Sequence, residues 1–172
     1  MSTELARLLV EMLKRRGETI STCESLTAGL ASATIADIPG SSAVLRGGLI
    51  TYATDLKTSL AGVSQELIDA HGVISPQCAG AMALGAAQRC DSSWALALTG
   101  VAGPSEQDGH PVGEVWIGIA GPTLGGRVGT ISTIRAFESA QQKKLAELGR
   151  DHIRKTAVQR SFQLLINQIE SM

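Results

Sequence analysis

The sequence of 172 residues has few aromatic residues, few cysteines and no excess of charge of either sign. Aromatic residues make up 3% of the chain and Tyr52 is its single tyrosine, so a core must be filled by small and aliphatic side chains packed at close range. Fifteen Lys and Arg residues stand against sixteen Asp and Glu residues, which argues against the basic surface that nucleic-acid-binding proteins need. We therefore expect no nucleic-acid partner.

The three cysteines, Cys23, Cys78 and Cys90, are widely spaced and form neither a CxxC pair nor a Cys/His cluster. This spacing argues against a disulfide framework and against a zinc site, so we expect no structural metal. No apolar run reaches membrane-spanning length, and the residues after Met1 do not follow the pattern of a signal peptide. The expected protein is cytoplasmic, with no membrane partner.

The length and the apolar content of 44% suit one domain, which we place over residues 1–172. Helical and strand patterns alternate along the chain, and two late strands form a hairpin. This order predicts an α/β fold, a three-layer α/β/α sandwich with a mixed, mainly parallel sheet. The predicted strands cover 19–23, 43–52, 94–99, 112–120 and 127–137, and the predicted helices include 27–37, 65–71, 76–90 and a long closing helix.

Ser25 is a candidate nucleophile because it lies where a predicted strand ends and a predicted helix begins. A hydroxyl in that position lies beside free backbone N–H groups and the positive end of a helix dipole, which favour a developing oxyanion. The alternative is an ordinary Ser cap of a helix, and on the local sequence alone the cap is the more common role.

A nucleophilic serine needs a base, and Lys57 is the candidate. The three histidines, His71, His110 and His152, fall in a helix end, a loop and an exposed helix. The spacing from Tyr52 to Lys57 instead places a phenol at a strand end and an amine one turn into the next helix. A neutral lysine can act as the base for serine, but lowering its pKa from about 10.4 to about 7.5 requires roughly 4 kcal/mol from a dry pocket. The alternative is a solvated lysine and a tyrosine that only packs.

Three further groups could bind a ligand. The loop from Thr99 and Gly100 to Pro104 offers backbone N–H groups and a hydroxyl to an anion, although it lacks the spacing of a Walker loop. Ser42 lies in a Pro-Gly turn and could add a hydroxyl, although serines in turns often bond only their own backbone. Arg150 and Arg154 lie one helical turn apart and could clamp a phosphate or carboxylate, or form exposed salt bridges.

Ordered motifs over nearly the whole chain resemble one known family, the CinA C-terminal domain, which includes stand-alone nicotinamide mononucleotide deamidases. The resemblance is carried by 23–29 (CESLTAG), 39–42 (PGSS), Gly47-Gly48, Thr51-Tyr52 with Lys57, 72–75 (GVIS), 98–104 (LTGVAGP), 111–117 (PVGEVWI) and 153–157 (IRKTA).

The resemblance implies hydrolysis of the carboxamide of nicotinamide mononucleotide in NAD salvage, with no metal and no organic cofactor. It implies a homo-oligomer whose partner is this small-molecule substrate. By the same resemblance Ser25 is the nucleophile, Lys57 its base and Tyr52 a catalytic residue. The implied substrate-binding residues are Ser42, Thr27, Thr99, Gly100, Arg150 and Arg154.

The chain departs from the family pattern in three places. Ala28 stands where the family motif has glycine, the aspartate that usually precedes Arg150 is absent, and extra sequence between Phe137 and Arg150 predicts one or two added helical turns. The first two departures favour a rival hypothesis, a catalytically silent nucleotide-binding or interaction module. A third hypothesis is an amidase that acts on another small amide.

Overall fold

The computed structural model describes residues 2–172 and confirms the predicted α/β sandwich. Its sheet has the order β2-β1-β3-β4-β5. β2, β1 and β3 are parallel neighbours, whereas β4 is antiparallel to both β3 and β5, so four of the five strands point the same way. The strands are β1 (Ile20–Glu24), β2 (Leu45–Ile50), β3 (Trp94–Gly100), β4 (Val115–Pro122) and β5 (Val128–Arg135).

Seven α-helices and one short 3-10 helix within residues 2–172 connect and cover the strands. The helices are α1 (Ser2–Arg16), α2 (Leu30–Ala36), α3 (Thr54–Ser59), α4 (Gln65–His71), α5 (Pro76–Cys90), α6 (Ser139–Leu148) and α7 (Arg150–Glu170), with the 3-10 helix at Ser41–Ala43. Within the described residues, no helix is long and apolar enough to cross a membrane.

The two faces of the sheet carry side chains of different size. On β3, Trp94, Leu96 and Leu98 point into a core that also contains residues of α1, α2 and α7. Ala95 and Ala97 point to the other face, which packs against α5. There a Cβ on Gly118 would collide with the carbonyl oxygen of Ala79 in α5. The close approach of α5 explains how a chain with few aromatic residues fills its core.

Most predicted elements are confirmed, and two connections differ from the prediction. α2 begins at Leu30 and not at Thr27, because Ala28 and Gly29 have left-handed φ angles of 50° and 94°. The pair Gly47-Gly48 predicted a bulge, and the pairing of β1 with β2 shifts register beside Gly47. The extra segment before α7 forms a ten-residue helix, α6, which is longer than the predicted one or two turns.

Candidate active site

A pocket of about 310 Å³ lies at the carboxyl ends of β1 and β3. Ligands of α/β proteins bind at this edge because the loops after neighbouring parallel strands meet there. The pocket brings together six of the residues that the sequence predicted for the site, and none of the three histidines lines it. Those six are Ser25, Tyr52, Lys57, Thr99, Gly100 and Arg150.

Ser25 and Lys57 are in direct contact although 32 positions separate them. Ser25 follows the last residue of β1, and its backbone N–H donates to the Leu98 carbonyl of β3 at 2.9 Å. Lys57 lies in α3, with its side chain only 2% exposed. Its Nζ lies 3.1 Å from Ser25 Oγ and donates to the Thr51 carbonyl at 2.8 Å. The distance is within reach of direct proton transfer between hydroxyl and amine.

Burial lowers the pKa of Lys57 from its ordinary value of 10.5. Only thiolates at Cys78 and Cys23 would oppose this shift, but burial raises the pKa of these thiols to about 11 and about 12. Both thiols are therefore neutral at physiological pH. Within residues 2–172 no carboxylate pairs with Lys57, so no opposite charge offsets the cost of burying an ammonium. The surroundings of Lys57 favour a neutral amine that can accept the Ser25 proton.

The turn after Ser25 differs from the predicted junction of strand and helix. Residues 25–29 form the turn, and α2 begins only at Leu30. The carboxylate of Glu24 accepts from the N–H groups of Gly29, Ala31 and Ser32 at 3.1, 2.9 and 2.9 Å. The prediction that the helix terminus supports Ser25 was therefore wrong, because Glu24 occupies that terminus.

Tyr52 and Arg150 meet at the mouth of the pocket. Arg150, the first residue of α7, donates to the Tyr52 hydroxyl at 2.8 Å and to the Gly103 carbonyl at 2.7 Å. Tyr52 is 55% exposed and does not fill the core. A guanidinium has five N–H donors, so Arg150 keeps further donors for a ligand anion.

Three predicted binding residues lie outside the pocket. Ser42 precedes β2 at its amino end, and a six-residue strand, about 20 Å long, separates that end from the site. Thr27 is fully buried, and its hydroxyl has no hydrogen-bond partner within the described residues. Arg154 donates to the carbonyls of Leu26 and Thr27, both at 2.9 Å, so its guanidinium holds the turn and does not face the pocket.

Thr99 lines the pocket, but its hydroxyl has a structural partner. It donates to the Val73 carbonyl at 2.6 Å and so ties the segment between α4 and α5 to the end of β3. The predicted donation of this hydroxyl to a ligand therefore conflicts with the geometry, because its proton is already used. The oxygen retains lone pairs that can only accept.

Several further residues line the pocket without a role predicted from the sequence. Thr54 stands at the start of α3, Val73 and Ile74 form an apolar wall, and residues 105–107 form the rim. Val73 and Ile74 belong to a motif that carried the family resemblance, and that motif was the available signal. The rim residues follow no regular pattern, and nothing local marked them as pocket residues.

The two departures that favoured a silent module do not alter the pocket. Ala28 is exposed, so its methyl group does not narrow the site as the sequence had allowed. Gly149, in place of the family aspartate, has a φ of 92° and precedes α7, yet Arg150 still reaches the pocket.

Comparison with known proteins gives a consistent result. The model of the CinA C-terminal domain matches residues 2–169. A protein of Listeria welshimeri with the provisional name competence-damage inducible protein is 38% identical over 160 residues, which are 93% of this chain and 35% of the relative. A protein of the same name from Streptococcus thermophilus is 42% identical over 85% of this chain and 37% of its own length. The chain thus spans little more than a third of these curated relatives.

Solved structures share the fold over nearly their full length. The crystal structure of competence/damage inducible protein CihA from Agrobacterium tumefaciens has a TM-score of 0.81 and 33% identity, covering 96% of this chain and 94% of that one. A CinA superfamily protein from Klebsiella pneumoniae has a TM-score of 0.84 and 24% identity, covering 100% and 99% of the two chains, and supports the fold alone.

Proposed function

This chain belongs to the CinA C-terminal domain family, and on that premise we propose that it is an amidohydrolase that converts nicotinamide mononucleotide to nicotinate mononucleotide and ammonia. The observation that carries the proposal is the 3.1 Å contact between Ser25 Oγ and the buried Lys57 Nζ at the base of a pocket. A serine hydroxyl beside a neutral amine is an activated nucleophile, and such a pair hydrolyses amides through an acyl-enzyme.

The reaction follows from the positions of these two groups. Lys57 Nζ accepts the Ser25 proton while Oγ attacks the carboxamide carbon, giving a tetrahedral oxyanion. The resulting ammonium returns the proton to the amide nitrogen, the C–N bond breaks, and ammonia leaves. Lys57 then accepts a proton from water as the resulting hydroxide attacks the acyl-serine, and it returns this proton to Ser25 Oγ as the acyl C–O bond breaks and the acid is released. The balance is one amide and one water consumed for one acid and one ammonia formed.

The oxyanion needs hydrogen-bond donors, and the backbone beside Ser25 supplies them. Leu26 follows the nucleophile and lines the pocket, and its N–H has no acceptor within the described residues. The N–H of the residue after a nucleophilic serine is a common oxyanion donor. The N–H groups of Ala102 and Gly103, on the loop after β3, are also without acceptors in the described chain. Preorganised donors of this kind stabilise charge that develops in the transition state.

The pocket also supports a pyridine nucleotide as the substrate. Val73, Ile74 and Val101 supply an apolar wall against which a flat ring can pack. Arg150 lies at the mouth, where it can pair with a phosphate that extends from the ring. The amide would then lie at Ser25 and the phosphate outside, at the guanidinium.

A substrate panel tests this proposal. Purified protein is incubated with nicotinamide mononucleotide, nicotinamide riboside or nicotinamide in buffer with EDTA, and ammonia and the acid product are measured. We expect the mononucleotide to have the highest kcat/KM, because it alone offers a phosphate to Arg150, and we expect chelation to have no effect. Ammonia from none of the three would support the silent module, and dependence on a divalent ion would contradict the Ser-Lys chemistry.

A further inference from the structure

Glu24 is a buried charge next to the nucleophile, and the reaction steps above do not use it. It is the last residue of β1, and its side chain is fully buried. Its carboxylate accepts four hydrogen bonds. They come from the Thr22 hydroxyl at 3.0 Å and the Ser32 N–H at 2.9 Å on Oε1, and from the Gly29 N–H at 3.1 Å and the Ala31 N–H at 2.9 Å on Oε2.

The turn at residues 25–29 is held at its other end by Arg154. The guanidinium of Arg154 donates to the carbonyls of Leu26 and Thr27. The carboxylate of Glu24 thus accepts from N–H groups at the end of the turn and just after it, and the guanidinium of Arg154 donates to carbonyls within the turn. Neither Glu24 nor Arg154 lines the pocket, so both act on the backbone and not on a ligand.

Arg154 and a hydrogen bond within the turn set the direction of the backbone beside the nucleophile. In a trans peptide the carbonyl and the following N–H point in opposite directions. Because Arg154 holds the Leu26 carbonyl, the N–H of Thr27 points away from Arg154. Because the Ser25 carbonyl accepts from the N–H of Ala28 at 3.1 Å, the N–H of Leu26 points away from Ala28. Neither N–H has an acceptor within residues 2–172.

We propose that Glu24 is a positioning residue, whose carboxylate holds the turn at residues 25–29 so that Ser25 Oγ faces Lys57 and the Leu26 N–H remains available to the oxyanion. The proposal rests on the function proposed above. Glu24 stabilises the turn through several charge-assisted hydrogen bonds at once, which a neutral side chain cannot reproduce. A turn that can relax would misplace both the nucleophile and its donor.

The packing beneath Glu24 supports this role. Thr22 Oγ1 lies 2.6 Å from Ser32 Oγ, so the side chains that flank the carboxylate also contact each other. A Cβ on Gly48 of β2 would meet Thr22 Oγ1 at 2.6 Å and would collide with Ser32 Oγ. The absence of a side chain at Gly48 therefore leaves room for the hydroxyls that border Glu24.

The experiment compares Glu24→Gln with Glu18→Gln as the matched control. Glu18 precedes the amino end of β1 and accepts from Trp94 Nε1 at 2.8 Å, so the same chemical change is made far from the pocket. Three quantities are measured on folded protein: kcat and KM for nicotinamide mononucleotide, the rate at which diisopropyl fluorophosphate labels Ser25, and the thermal midpoint. Glu24→Asp, which keeps the charge, is the test of rescue.

In Glu24→Gln we expect kcat and the labelling rate to fall by about 100-fold, with KM changed by less than about threefold. Glu24→Asp should recover part of the labelling rate, and Glu18→Gln should keep the wild-type rate. If Glu24→Gln does not fold, Thr22→Val, which removes one hydrogen bond to Glu24, should slow labelling by a few-fold.

Labelling at the control rate in folded Glu24→Gln, or in Thr22→Val if it alone folds, would overturn the positioning role. If wild-type protein releases no ammonia but labels at Ser25, the proposed substrate is wrong and the labelling rates still decide the role of Glu24. Wild-type protein that neither hydrolyses nor labels would overturn both proposals.

Discussion

The proposed chemistry requires a neutral Lys57, and the stability of the folded protein reports that state without any substrate. Lys57 is almost fully buried, and within residues 2–172 its Nζ has two hydrogen-bond partners, Ser25 Oγ and the Thr51 carbonyl. We consider Lys57→Met, which has a similar length and cannot ionise. The variant loses the hydrogen bond to Thr51, which destabilises it by about 1–3 kcal/mol at every pH.

The pH dependence has a definite sign. Burial lowers the pKa of folded Lys57 below its ordinary value of 10.5. Between these two pKa values the unfolded chain binds more protons than the folded one, so wild-type stability rises as pH rises toward 10.5. Lys57→Met has no ionisable side chain at this position, so this change of stability with pH is absent from the variant. The unfolding free energy of Lys57→Met minus that of wild type is therefore most positive at low pH. This difference decreases as pH rises, by about 1.4 kcal/mol for each unit by which burial lowers the pKa of Lys57.

Urea unfolding from pH 6 to pH 10.5 measures this difference. The loss of the Thr51 hydrogen bond shifts the whole curve and does not change its slope with pH. We expect the free energy of unfolding of Lys57→Met, relative to wild type, to fall across this range more steeply than for a control variant. Lys143→Met, which removes an exposed lysine, supplies the baseline. A slope no greater than that baseline would refute a lowered pKa at Lys57.

Two other substitutions test neighbouring parts of the account. Lys57→Arg should lose about as much kcat as Lys57→Ala, about 100-fold to 10,000-fold, because guanidinium stays protonated and cannot act as the base. The wild-type kcat/KM should rise with pH through an ionisation below 10.5, and an active Lys57→Arg with an unchanged profile would rule out the base. Ala28→Gly should stabilise the protein by up to about 1 kcal/mol in thermal unfolding, because the φ of 50° suits glycine. It should leave kcat unchanged, and a large change in kcat would show that Ala28 contacts the substrate.

Local signals in the sequence were enough to predict the regular elements. α5 begins and ends where the pattern placed it, with Ser75 accepting from the Cys78 N–H and proline at the first helical positions. The alternation of large and small apolar residues along β3 reflects two faces that are both covered by helices. These features depend on neighbours in sequence, so they are visible in the sequence.

The differences at the site depend on contacts between distant segments. The start of α2 is set by the Glu24 carboxylate, whose role appears only once the turn at residues 25–29 is folded. Helical spacing placed Arg150 and Arg154 one turn apart, but it could not show that one reaches Tyr52 while the other meets the Leu26 carbonyl. The Ser25–Lys57 contact joins the residue after β1 to α3; residue types and the family resemblance both suggested the pair, but no local pattern could give the distance.

Ammonia release from nicotinamide mononucleotide by wild-type protein and by Ser25→Ala tests the central claim most directly. We predict steady release by the wild type and a fall of at least about a thousandfold in kcat for Ser25→Ala. Calorimetry should show that the variant still binds the mononucleotide, because the nucleophile contributes mainly to the transition state. Equal rates in the two proteins, or no ammonia from the wild type at any pH, would contradict hydrolysis through Ser25.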